Sequence, residues 1–513
     1  MIVPLIVACA LFMENLDGTV ITTALPAMAI SFSTSPIQLS LGVTAYMLSL
    51  AVFVPVSGWV ADRFGARTVF RLAISVFILG SILCGLSNGV LEFAAARVLQ
   101  GIGGAMMVPV GRLVMIRSVE KSELVRAMAY LTVPALIGPV LGPPVGGFIT
   151  TYVSWRWIFF LNVPIGLLGI GLVSAFIENY REAETWPFDW IGFFLIGTSL
   201  TCLMYDFDLV GHPGTNGVQM WILLAVGVVG GILALLHSKH RLHPLLDPTL
   251  LEIPTFAKTT AGGTIFRMSA GALPFLLPLL LQVGFGMSAF ASGLLTFASA
   301  LGSFTMKMST RPILRRFGFR TVLIGNGIIS AASIVVCSFF AVSTPTFLIF
   351  VLLLAGGFFR SLQYTSLNTL SFADILPAKL SGATSVSSMM QQLSNGMGIA
   401  LGAVLLHGML AWRGAASDAL SAGDIRISFA IAGALSLFSL PFFRRLAPDA
   451  GAEISGHQAQ AAAAARAPVS PRASGDTDAA VPVAPPGAKE PARAASLEPT
   501  RESGDVNDRR DGE

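Results

Sequence analysis

From its first residue to Arg445 the chain is a string of long apolar stretches, and this pattern leaves it few folds. Only 42 of those 445 residues are Asp, Glu, Lys or Arg, too few to clothe a soluble surface. The whole chain of 513 residues is 54% hydrophobic and 12% charged, about half the usual soluble share of charge. Its mean hydropathy is +0.74. Fourteen stretches have the length of a membrane-crossing helix: near 3–31, 40–60, 68–88, 91–116, 126–150, 157–178, 188–210, 219–237, 258–283, 289–308, 321–342, 346–372, 384–411 and 427–443. The expected fold class is an all-α integral membrane protein with fourteen transmembrane helices. A cleaved secretory leader would need a basic start, whereas the first basic residue is Arg63.

The connections alternate in charge. One set, running from Arg63/Arg67/Arg71 to Arg444/Arg445 and including Lys307, Arg311, Arg315, Arg316 and Arg320, holds eighteen basic residues; the other holds Arg156, Arg413 and Arg426. Basic connections face the cytoplasm, so both termini are expected inside a cell inner (plasma) membrane. The net charge of +4 reflects this bias and calls for no nucleic-acid partner. Cys9, Cys84, Cys202 and Cys337 lie singly in apolar segments, so neither a disulfide framework nor a metal site is expected.

An internal repeat divides the chain. Asp62-Arg63-Phe64-Gly65-Ala66-Arg67-Thr68-Val69 recurs as Arg315-Arg316-Phe317-Gly318-Phe319-Arg320-Thr321-Val322, with six of eight positions identical. Arg97-Val98-Leu99-Gln100 recurs as Arg360-Ser361-Leu362-Gln363. The expected organisation is a six-helix bundle at 1–180, two inserted helices and a cytoplasmic loop at 181–257, a second six-helix bundle at 258–445, and a disordered cytoplasmic tail at 446–513, where Ala, Pro, Gly and mixed charges leave little to fold. Two such bundles around a midplane site are a common transporter plan.

The most telling charges are Glu14 and Asp17, alone in the first span, with no other charged residue before Asp62. An acid at that depth costs roughly 2.5 to 3.5 kcal/mol on insertion scales and marks ion or substrate handling. Their i, i+3 spacing puts both carboxylates on one helix face, where mutual repulsion and poor solvation favour a proton on at least one of them. Arg97, inside the fourth span, wants a buried carboxylate, and Glu14 and Asp17 are the candidates. Arg267 and Arg360 are cations of the C-terminal bundle with no evident acid; they suit an anionic substrate group or the acids of helix 1 across the cavity. Gln100, Gln363, Gln391 and Asn395 are further polar groups that could line that cavity.

Gly58-x-x-x-Asp62-Arg63-x-Gly65-x-Arg67 resembles the signature loop of the major facilitator superfamily, with Ala66 at a usually basic position. Arg97-x-x-Gln100-Gly101-x-Gly103 resembles its helix-4 motif, and Gly138-x-x-x-Gly142-Pro143-x-x-Gly146-Gly147 the helix-5 motif of its antiporters. Leu16-Asp17-x-Thr19 with Ala24-Leu25-Pro26, and Trp155-Arg156-Trp157-x-Phe159-x-x-Asn162-x-Pro164, resemble fourteen-helix drug:proton antiporters of the EmrB/QacA type. The resemblance spans about residues 3 to 445. It implies that Asp17, Glu14 and Arg97 couple protons and that the partners are a small-molecule substrate, protons and the lipid bilayer. If the cell is Gram-negative it also implies a periplasmic adaptor and an outer-membrane channel.

The motifs also have physical readings of their own. Gly58 and Gly65 allow helix ends and a tight loop to approach closely, while Asp62 can cap a helix and pair with Arg63 or Arg67, making a cytoplasmic latch. Arg315, standing where Asp62 stands, predicts a weaker latch in the second half. The glycines and prolines of helix 5 suit a bending element packed against the other bundle. There is no phosphate-binding Gly-x-x-x-x-Gly-Lys-Ser/Thr run, no catalytic triad, no cofactor motif and no metal-ligand spacing; His237, His240 and His243 are expected in a basic loop. The expected function is proton-coupled export of amphipathic or lipophilic compounds. The alternatives are a carrier for one endogenous metabolite and a non-transporting receptor or scaffold.

Overall fold

The computed structural model describes residues 2–118, 124–179, 187–209, 217–241, 244–376, 379–414, 420–455 and 457. Among them thirteen helices are long and apolar enough to cross a membrane: α1 (Val3–Ser31), α2 (Pro36–Phe64), α3 (Ala66–Leu86), α4 (Val90–Met115), α6 (Trp157–Phe176), α7 (Trp190–Phe207), α8 (Gly217–His240), α9 (Pro254–Gly284), α10 (Ala289–Phe317), α11 (Phe319–Phe339), α12 (Thr346–Ser371), α13 (Gly382–Arg413) and α14 (Ala422–Arg444). A further helix, α5 (Leu124–Tyr152), fills the fifth place, with its side chains described from residue 137 onward. Each of the fourteen stretches read from the sequence is therefore a helix.

Local chemistry sets the helix ends. Ser35 caps α2 by accepting from the Gln38 N–H, with Pro36 in the first turn. Ser288 caps α10 in the same way through Ala291, and Ser421 with Asp424 forms a reciprocal capping box at α14. The sharp turns between α2 and α3 and between α10 and α11 need left-handed backbone, supplied by Gly65 (φ 91°) and Gly318 (φ 71°). The recurrence of that glycine in the repeat is thus a backbone requirement.

Two seams join the bundles: α5 runs along α10, and α2 runs along α13. The α5 seam is made of glycine. A Cβ at Gly293 would strike the Pro143 carbonyl, and one at Gly147 the Ala289 carbonyl. On its other side α5 lies against α1, where a Cβ at Gly146 would come within 2.7 Å of the Val20 carbonyl and one at Gly138 within 3.1 Å of the Phe12 carbonyl. The seam closes the end away from the Arg63–Arg67 turn: Phe290 N–H donates to Thr151 Oγ1 at 3.1 Å, and Gln282 Nε2 on α9 donates to the Thr23 carbonyl at 3.0 Å.

The inserted helices pair with each other, and α7 rests on α2 and α13. Ala51, Ile196, Leu200, Ala234 and Met389 make a small core there, so the hairpin covers the α2–α13 seam. The rest of α8 leaves Trp221, Ile222 and Leu233 exposed, as a lipid-facing surface does.

Three expectations are corrected. The span expected to end near 308 continues as helix to Phe317, so Lys307 sits on α10 and donates to Thr365 of α12 at 3.3 Å. His237 belongs to α8 rather than to a loop, with Nε2 2.8 Å from Asp189 Oδ1. The expected tail of 446–513 does not begin at 446: Ala452–Ser455 is helical, and His457 Nδ1–H donates to the Arg315 carbonyl at 2.9 Å. A Cβ at Gly451 would come within 2.7 Å of the Phe319 ring, so this segment packs on the start of α11. Residues 458–513 lie outside the described residues.

Candidate functional site

Asp17 lies halfway along α1 and is 5% exposed; Arg97, on α4, is wholly buried. Arg97 Nη1 donates to Asp17 Oδ2 at 2.7 Å. Of the two acids considered for Arg97, Asp17 takes the ion pair. The same Nη1 lies 2.6 Å from Gln100 Oε1, one turn on, and Gln100 Nε2 donates to Asp17 Oδ1 at 2.9 Å. Asn162 on α6 adds a second amide to Oδ1 at 2.9 Å. Both amides also donate to Ser81 Oγ on α3, at 2.7 and 3.0 Å. Beneath the guanidinium lies the Tyr46 ring of α2, 4.0 Å from ring centroid to Arg97 Cζ.

Five helices therefore converge on one carboxylate, and small residues bring them close enough. A Cβ at Gly80 would come within 2.6 Å of the Gln100 backbone, and one at Gly103 within 2.5 Å of the Phe77 nitrogen, so α3 and α4 touch along the face that presents Arg97 and Gln100. Every group hydrogen-bonded to Asp17 is a donor, and a guanidinium has no acceptor. Oδ1 already accepts two donors and Oδ2 accepts one, so an arriving proton goes to Oδ2 and weakens the pair with Arg97. Arg97 Nε and Nη2 are buried with no hydrogen-bond partner; the guanidinium is held on one side only and can swing away.

Glu14, one turn before Asp17, is 9% exposed. Asn162, Ser81 and Tyr46 were not marked as site residues from the sequence. Asn162 had a signal, a neutral amide inside an apolar span and within a motif; Ser81 and Tyr46 have none beyond polarity.

The expected latch is placed as follows. Arg67 Nη1 donates to the Ile177 carbonyl at 3.3 Å, and Asn179 Oδ1 accepts from the Thr68 N–H at 3.3 Å. The side chain of Asn179 fills the space a Cβ at Gly65 would need. The turn is thus tied to the segment after α6, within its own bundle. Among the described residues nothing stands within 4 Å of where a Cβ at Gly58 would sit, so none of them makes the close approach expected there. In the antiporter motif, Gly138, Gly142 and Gly146 face α1 while Gly147 and Pro143 meet α10.

In the C-terminal bundle Gln363 is wholly buried. It donates to the Leu323 carbonyl at 3.0 Å and accepts from Asn326 at 2.9 Å, joining α12 to α11. Gln391 and Asn395 are half-buried on α13. Arg267 Nη2 donates to Asn368 Oδ1 at 2.6 Å, and Arg360 Nη2 to Ser299 Oγ at 2.6 Å. Neither arginine reaches the acids of α1 in this structure.

At the ends of α7 and α8, Asp189 is 4% exposed. It accepts from the Gly192 N–H at the start of α7, from the Leu245 N–H and from His237. Burial pushes this carboxyl up, but the bonds from His237 and the two N–H groups outweigh it and hold it below its ordinary value. The described residues hold no group of His, Cys, Asp and Glu that could bind a metal.

Comparison with known proteins identifies the family. The sequence profile of the Major Facilitator Superfamily matches residues 7–238 and 259–487. The chain is 38% identical over 402 residues to the multidrug resistance protein MdtD of Shigella boydii serotype 4, covering 78% of this chain and 85% of that one. It is 39% identical over 404 residues to MdtD of Escherichia coli O6:H1, with the same coverage. Among solved structures, the D-xylose-proton symporter superposes with a TM-score of 0.62 at 14% identity, over 87% of this chain and 98% of that chain. An auto-inhibited POT family peptide transporter does so with a TM-score of 0.62 at 13% identity, over 86% and 97%. The fourteen-helix chain, with its duplicated arginine motif and glycine-lined α5, belongs to the major facilitator superfamily.

Proposed function

We propose that this protein is a proton-coupled antiporter that exports amphipathic organic compounds, with Asp17 as its proton carrier. It is a multi-pass membrane transporter and not an enzyme. The observation that carries the mechanism is the buried Arg97–Asp17 pair, in which the carboxylate is surrounded by donors from α4 and α6.

Protonation of Asp17 cancels the charge that holds Arg97. Gln100 bonds both Arg97 and Asp17, so the loosened pair is felt along the same face of α4. The face of α4 is freed to move against α1. Since α1 also packs on α5, and α5 on α10, a change at Asp17 reaches the glycine seam between the bundles. Alternating access then amounts to opening that seam at one end and closing the halves at the other. On this reading the basic connections are cytoplasmic and both termini inside, which puts the Phe290–Thr151 and Gln282–Thr23 contacts at the exterior end of the seam. The 38% identical relatives named as multidrug resistance proteins support drug export as the direction. A periplasmic adaptor and outer-membrane channel belong to this reading only if the cell is Gram-negative.

The test is proton movement in proteoliposomes. Adding ethidium or another amphipathic drug to vesicles holding a pH gradient should collapse that gradient without nucleotide. Drug uptake that proceeds with no proton flux, or that requires nucleotide, would remove the antiport reading.

A further inference from the structure

We infer that the C-terminal bundle carries a binding site for the carboxylate of an amphipathic organic anion, built from Arg360 and Arg267 around Tyr364 with Lys307 beside them. The inference rests on the export reading above and names its substrate class.

The repeat shows what is missing. Ala24-Leu25-Pro26 of α1 recurs as Ala272-Leu273-Pro274 of α9, and in that register Asp17 corresponds to Ile265. Arg97 recurs as Arg360. The same scaffold position thus keeps its guanidinium in both bundles, but only the N-terminal bundle keeps the carboxylate. Arg360 is 6% exposed and is met by hydroxyls alone: Ser299 Oγ at 2.6 Å and Ser333 Oγ at 3.4 Å. Arg267, 3% exposed, touches the amide of Asn368, and its Nε is buried with no hydrogen-bond partner. No Asp or Glu occurs anywhere in α9, α10, α11, α12 or α13. The one acid on α14, Asp424, already pairs with Arg413 at 2.6 Å.

The cations converge on one stretch of α12. Arg360, Tyr364 and Asn368 stand four residues apart on one helix face, spanning about 12 Å. Arg267 reaches this face from α9, and Lys307 reaches Thr365 from α10. Tyr364 and Asn368 are only half-buried, so packing among the described residues does not seal the face between the two arginines. Phe266 packs edge-on against Tyr364, with centroids 5.4 Å apart. Two buried guanidiniums with no carboxylate partner among the described residues hold a strong field that draws an anion in, and their planar forks suit a carboxylate. The aromatic pair beside them suits its apolar body.

The test is equilibrium binding of 1-naphthoate and its neutral analogue 1-naphthamide to the full-length protein in phosphatidylcholine nanodiscs. No ion gradient is present, so a failure of proton coupling cannot mask the result. Naphthoate should bind at least tenfold more tightly than naphthamide. Arg360→Gln and Arg267→Gln should each weaken naphthoate at least tenfold and naphthamide far less, so that the preference between the two probes is lost. Should either variant fail to fold, Arg360→Lys, which keeps the charge and loses the fork, should still weaken naphthoate several-fold. Equal affinity for the two probes in the unmodified protein, or an undiminished preference in the variants, overturns the proposal. Displacement of naphthoate by added phosphatidylglycerol would assign the cluster to a lipid headgroup and overturn it equally.

Discussion

At the scale of single residues, Asp17 is held by donors on both of its oxygens. Asn162 supplies one of the two amides on Oδ1 and also bonds Ser81. Asn162→Leu would leave those oxygens with one amide donor instead of two, a loss of about 1 to 3 kcal/mol. The expected outcome is a lower melting temperature in detergent with coupling retained, because Arg97 and Gln100 still face the carboxylate; an unchanged melting temperature would show that this bond contributes nothing. Arg97→Gln should cost more, about 3 to 5 kcal/mol, since it strands a buried charge; denaturation of the purified protein would measure it. Charged residues were legible in the sequence because insertion in lipid penalises them and so makes them rare. Asn162, Ser81 and Tyr46 were not, because neutral polar side chains are common within helices and only packing shows that these three gather around one ion pair.

At the scale of helices, small residues decide where elements touch. Gly293 on α10 faces the Pro143 carbonyl of α5 with no room for a Cβ. Gly293→Val should therefore pry α5 from α10, lengthening spin-label distances across that end of the molecule and abolishing transport with the Arg97–Asp17 pair intact. Unchanged distances would show that the seam is not a moving contact. The glycines of α5 were legible as a motif, whereas the matching role of Gly293 depends on which helix lies opposite. A second element, the α7–α8 hairpin, is tied by Asp189. A carboxyl held below its ordinary value of about 3.9 stabilises the fold fully above that value, and the stabilisation is lost as pH falls through the lowered one. Asp189→Asn should thus lower thermal stability at pH 7, with a deficit that shrinks as pH falls below about 3.9, as read by thermal unfolding; a deficit independent of pH would contradict the linkage. Helix ends were the least legible feature. Apolarity fades at Lys307 and at His237, yet both remain helical because Lys307 reaches Thr365 and His237 reaches Asp189.

At the scale of the whole molecule, two copies of one bundle have taken different jobs. The N-terminal copy pairs its buried arginine with an acid, and the C-terminal copy leaves its arginines to hydroxyls and an amide. The repeat was plain in the sequence, but the division of labour was not, because the distances between cations and acids come only from the fold. Exporting a monoanion while taking up one proton moves two charges inward. An inside-negative potential drives each by about 2.3 kcal/mol per 100 mV, so a potassium-valinomycin potential should accelerate naphthoate export more than export of a neutral drug; equal acceleration would contradict the charge count. The two glycine turns also differ, since Asp62 stands beside Arg63 and Arg67 while Arg315 stands among other cations. Asp62→Asn should lengthen spin-label distances across the cytoplasmic mouth, and Arg315→Ala should change them little; equal effects would deny the asymmetry a mechanical role. The central claim, that Asp17 carries the proton, is tested most directly by comparing two modes of transport in Asp17→Asn proteoliposomes. Downhill exchange of labelled for unlabelled drug should persist, while accumulation driven by a pH gradient should vanish. Gradient-driven accumulation at the unmodified rate would contradict the account.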